Sequence, residues 1–150
     1  MKSRDRIEKE ALRKNQAALL FAKKVGLIED ASFMALEHRR IARNAENKEK
    51  IRQGEPVYGL ISYSAPAYLQ YELTRFKLDF TEEIDEIKKN YEYHNISEDE
   101  KRNYYNKNID LFTRYFGDTF SYEEVDLIIE KRIREAEYEK NIKDLLCQLP

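Results

Sequence analysis

The pattern Ser-x-x-Glu occurs twice between residues 96 and 133, as Ser97–Glu100 and Ser121–Glu124. Such a pair marks a helix start: the serine oxygen takes the amide three residues on, and the glutamate reaches back to the serine amide. Two starts so close together, with Tyr104, Tyr105 and Phe112 between them, restrict this stretch to helices joined by a loop. The rest of the chain agrees. Four glycines and three prolines in 150 residues leave little to build turns from, and Glu, Lys, Arg, Leu and Ala abound. The expectation is an all-α fold of four or five helices in one domain over 1–150. The first, third and last helices are long, and one short segment is extended.

Apolar spacing places the helices. Ile7, Ala11, Leu12, Ala18, Leu19, Ala22 and Val25 form a stripe over Ser3–Val25, and Gly26 is the expected left-handed stop. A second helix starts at Asp30 or Ser32 and ends at Gly54. In its polar half, Asn44 to Arg52, only Ala45 and Ile51 are expected to pack. Pro56, Gly59 and the β-formers Val57, Tyr58, Ile61 and Tyr63 suggest an extended crossing or short ribbon over Glu55–Tyr63. Ser64 then caps a third helix that carries Leu69, Leu73, Phe76, Phe80, Ile84, Ile87 and Tyr91 as a narrow seam. That seam asks for a partner helix, either the second of this chain or one from a second copy, so a homodimer is open. Val125, Ile128, Ile129, Ile133, Ala136, Ile142, Leu145 and Leu146 give the last helix its core face, expected against the first.

Several functions lack their residues. His38 and His94 stand in no metal-ligand spacing, and neither a Walker loop nor a nucleophile-elbow glycine-serine pattern is present. One cysteine, Cys147, excludes an internal disulfide. Glu82, Glu83, Asp85 and Glu86 read as a solvated face rather than an acid–base pair. The chain is therefore expected to be no enzyme, with no catalytic residue, no metal and no cofactor. No run approaches the roughly 20 apolar residues of a membrane span. Its charged start predicts a cytoplasmic protein as the chain stands, or an extracytoplasmic one if an export segment has been trimmed.

Charge is uneven: 14 Lys/Arg against 8 Asp/Glu up to Gly54, then 13 against 21. Arg39, Arg40 and Arg43 make the densest basic cluster, but acidic Glu37 and Glu46 interleave, and nucleic acid is not the expected partner. The aromatics offer more. Tyr58, Tyr63, Tyr68 and Tyr71 surround the extended segment, and Tyr104, Tyr105, Tyr115 and Phe116 surround the later loop. They either fill a small core or line a cradle for extended or unfolded polypeptide, since tyrosine combines area with a polar tip. The cradle makes the chain a chaperone-like peptide binder. The alternative is a helical scaffold or adaptor for one specific protein partner.

The segment Ile96-Ser97-x-x-Glu100-x-x-x-Tyr104-Tyr105-x-x-Asn108-x-x-x-Phe112 resembles one in parvulin-type foldases of the SurA and PrsA kind. Phe120-Ser121-Tyr122-Glu123-Glu124-Val125, with Ile128, Ile129 and Ile133, is similar to their closing helix, and 18–28 to their N-terminal helices. In those foldases an isomerase domain can sit between these two segments. Here only Thr113–Thr119 separates them, so the resemblance implies the helical chaperone portion alone, without isomerase activity.

Overall fold

The computed structural model describes residues 2–114 and 116–150, and these are all-α. Six helices follow in order: α1 (Lys2–Lys24), α2 (Phe33–Arg52), α3 (Ala65–Thr81), α4 (Asp85–Lys88), α5 (Glu98–Lys107) and α6 (Tyr122–Gln148). A single 3₁₀ turn spans Ile109–Phe112. The aromatic loop folds back on itself through one antiparallel bridge, Thr113 to Thr119.

The starts and stops follow side-chain chemistry. Ser32, Ser64, Ser97 and Ser121 each accept the amide three residues on, so each helix opens on a satisfied donor. The reciprocal box is complete only at Ser121, where Glu124 accepts from the Ser121 amide. Glu100 turns instead to His94, at 2.8 Å, so the first box is half made. Gly26, at φ +89°, closes α1 with the Leu27 amide on the Ala22 carbonyl at 2.9 Å.

The long third helix is shorter than its seam predicts. It ends at Thr81 because Glu83 turns left-handed, at φ +52°, and the Ile84 amide reaches back to the Asp79 carbonyl. Side-chain periodicity carries no sign of this stop, since no glycine marks it. Ile87 is still fully buried, but from the separate one-turn α4. The spine is α6, the longest helix, and it runs through both halves of the molecule.

Those halves are two hydrophobic clusters. In the base, α1 runs antiparallel to the C-terminal half of α6, with Arg13 against the Leu146 and Leu149 carbonyls and Phe21 against Tyr138. Phe80 of α3 completes this core, its ring within 6 Å of Phe21, Tyr91, Tyr93 and Tyr138. In the arm, α5, the 3₁₀ turn and the folded loop cover one face of α6, burying Phe112, Tyr122, Val125, Ile129 and Ile133.

Five residues expected to pack do not. Ile7 and Leu12 are exposed, because α1 overshoots the end of α6 and nothing in the described residues reaches its first turns. Ile128 is half exposed, being turned about 100° from Ile129 on the same helix. Ala45 and Ile51 are exposed. The polar half of α2 packs instead through amides: Asn44 pairs twice with the Tyr63 backbone (2.7 and 3.0 Å), and buried Asn47 donates to the Leu60 and Ile61 carbonyls. Those amides hold residues 60–63 of the crossing segment against α2; the segment bends at Gly59, Ile61 and Ser62, and the described residues contain no strand.

Candidate functional site

The sequence pointed to two aromatic groups, and the structure places them in different clusters. Tyr63 and Tyr68 are buried in the base and Tyr71 is half-buried beside them, their rings 5.3 to 5.8 Å apart. The basic cluster is built into the same corner. Arg39 forks onto buried Glu72 at 2.6 to 3.3 Å, and Arg40 holds Glu37 and the Tyr63 carbonyl. Arg43 donates to the Tyr71 hydroxyl at 3.0 Å. Burial, with Glu72 nearby, pushes the Tyr68 phenol up to about 12. All three arginines thus tie α2 to α3 and the crossing segment. Tyr58 stands apart on the crossing, exposed to solvent.

The second group belongs to the arm. Tyr104 and Tyr105 are half-buried against its core. Tyr105 stacks on Phe112, ring centres 5.4 Å apart, and donates its hydroxyl to the Phe120 carbonyl at 2.5 Å. Phe116 lies at the loop tip, 89% exposed, and Tyr115 falls outside the described residues.

A polar knot welds α5 to α6. Lys101 reaches Asp126 at 2.8 Å, Tyr122 donates to Glu98 at 2.6 Å, and Arg102 lies over the Tyr122 ring. The hydrogen bond from Lys101 holds the Asp126 carboxyl below its ordinary range, as the bond from Tyr122 does for Glu98. Where base meets arm, buried Arg134 bonds Glu137, the His94 carbonyl and Glu83, and covers the Tyr93 ring. The left-handed Glu83 is thereby fixed from α6.

Two hollows flank these features. The larger, of about 610 Å³, lies between the 91–94 segment and α6; its inner wall is the bonded chain of Tyr91, Glu137 and Asn141. The smaller, of about 290 Å³, is an apolar groove on the arm lined by Leu111, Phe112, Phe120, Val125 and Ile128, with Glu124 and Arg132 on its rim. Sequence reasoning missed this groove. Its signal was Ile128, apolar although it stands off the buried Val125–Ile129–Ile133 face of α6. Among the described residues no group of His, Cys, Asp or Glu is placed to hold a metal, and no helix is long and apolar enough to cross a membrane.

No family model matches the chain. It is 33% identical over 96 residues to a protein of Bifidobacterium longum subsp. longum described as a chaperone for lacto-N-biosidase. That match takes in 64% of this chain and 32% of the relative. Its fold is also that of part of the crystal structure of the GH136 lacto-N-biosidase from Eubacterium ramulus. The TM-score is 0.76 with 31% identity, over 91% of this chain and 28% of the solved one. The selenomethionine form of that protein matches with a TM-score of 0.77. The chain therefore spans about a third of the length of these proteins.

These matches overturn the resemblance to SurA and PrsA foldases. The residues that suggested it do work common to many helical pairs: Ser97 and Ser121 cap, and Tyr104, Tyr105, Phe112 and Phe120 pack. Short motifs of caps and aromatics specify a helix junction, whereas the matches to the lacto-N-biosidase proteins extend over most of the chain.

Proposed function

We propose that this chain is a dedicated, non-catalytic chaperone or assembly adaptor for one glycoside hydrolase of the lacto-N-biosidase kind. The observation that carries the reading is the pairing of the two relatives. The same helical unit is related to a chaperone for such an enzyme and to a part of the polypeptide of another. A module found both beside and within an enzyme is suited to completing that enzyme's fold. The internal chemistry favours one dedicated partner over generic unfolded chains: Tyr63 and Tyr68 lie in the base core, away from solvent, and Tyr104 and Tyr105 face the arm's own core.

The test is to produce the lacto-N-biosidase polypeptide of the same organism with and without this chain, and to measure soluble hydrolase and its activity. The expected result is a stoichiometric complex and several-fold more active hydrolase when the chain is present. In parallel, aggregation of an unrelated denatured protein should proceed unchanged. Equal suppression of that aggregation would replace this reading with a general peptide-binding one.

A further inference from the structure

We propose that the hydrolase polypeptide docks in the arm groove between Leu111, Phe120 and the Glu124–Arg132 face of α6. This rests on the adaptor reading above. Leu111 is 68% exposed and Ile128 50%, and both line one concavity with Phe120 rather than standing singly. Contiguous apolar surface of this kind, rimmed by charge, is characteristic of an interface. Along the groove wall Glu124, Ile128 and Arg132 follow at four-residue steps, about 12 Å from end to end. The matching surface is an apolar ridge with a base opposite Glu124 and an acid opposite Arg132.

Two observations say what covers it. The first is the solved lacto-N-biosidase chain, which matches 91% of this chain; only about 14 residues can lie outside the match, fewer than the 38 of 96–133. Most of the arm is therefore kept in a polypeptide where 72% of the length lies beyond the helical unit. The second is charge. Between 96 and 133 there are nine Asp/Glu against six Lys/Arg, so the arm suits a partner surface with basic residues around its apolar ridge. Other exposed apolar side chains are poorer candidates: Met34, Ile41 and Ile51 are spread along α2, and Tyr58, Leu60 and Ile61 lie on the crossing segment, none of them lining the arm groove.

Binding of the full chain to the hydrolase polypeptide of the same organism decides the matter, measured by calorimetry. Ile128→Glu and Leu111→Glu should each weaken binding at least tenfold while helicity and melting stay as in the unmodified chain. The pair Met34→Glu, Ile41→Glu should bind as the unmodified chain does. Should Ile128→Glu or Leu111→Glu disturb the fold, the charge reversal Arg132→Glu, at an exposed side chain, takes its place and should weaken binding and alter its salt dependence. Unchanged binding by the folded arm variants, or loss through the α2 pair, overturns the groove and leaves the adaptor reading standing. Failure of the unmodified chain to bind overturns both.

Discussion

The base and the arm share one helix, α6, yet are held together differently. The base closes over fourteen buried residues from α1 and its end, α2, α3, α4, α6 and the crossing segment, with four aromatic rings around Phe80. The arm has five buried residues and leans on a polar knot of Lys101, Asp126, Glu98 and Tyr122. Stability rises with the apolar area removed from water, so the base is the anchor and the arm the part that opens first. The lesson is one of division of labour. The well-packed end fixes α6, and α6 carries forward a lightly built end whose apolar surface is still incompletely covered.

The sharpest way to break that comparison is Phe80→Ala. Its ring is fully buried among four others, and removing it should cost about 3–5 kcal/mol and destabilise both halves together. Urea denaturation followed by circular dichroism would show one shifted transition. A base that survived this loss unchanged would deny it the anchoring role.

Ile129→Ala should act more locally. Ile129 is as deeply buried as Phe80, but in the arm, where the loss is about 2–4 kcal/mol. Hydrogen exchange should quicken over 96–133 while Phe21 and Tyr138 keep their protection. Equal quickening at both ends would mean that base and arm unfold as one.

The smallest effect is expected at the knot. The Asp126 and Glu98 carboxyls titrate below their ordinary values of 3.8 and 4.5 when folded. Their contribution to stability is therefore fully present above about pH 4.5 and is lost as pH falls through the lowered folded values. Exchange in the arm should rise in that acid window before exchange in the base. Asp126→Asn should raise arm exchange at neutral pH and flatten its acid dependence; an unaltered acid profile would remove the knot from the account.

Much of the fold was legible because it depends on local chemistry. Each of Ser32, Ser64, Ser97 and Ser121 caps its helix, and Gly26 stops α1, since caps and turns are decided by residues within a few positions of one another. The pairing of the first and last helices followed from their apolar faces. The end of α3 was not legible, because Glu83 is held left-handed beside Arg134, 51 residues away. Nor was the role of Asn47, whose partners lie across the crossing segment. The candidate tyrosines could be listed in advance, but whether each meets a core or solvent depends on which helices close over it.

By itself, then, the sequence determined an all-helical chain, its caps and most of its helix boundaries, through interactions spanning one turn. Tertiary structure alone decided that α6 serves two cores, that Arg39, Arg40 and Arg43 bind inward, and that Leu111 and Ile128 border an open groove. Periodicity tells which face of a helix is apolar. It cannot tell how much of that face another element covers, because coverage is set by where distant segments dock and how far each helix overshoots its neighbour.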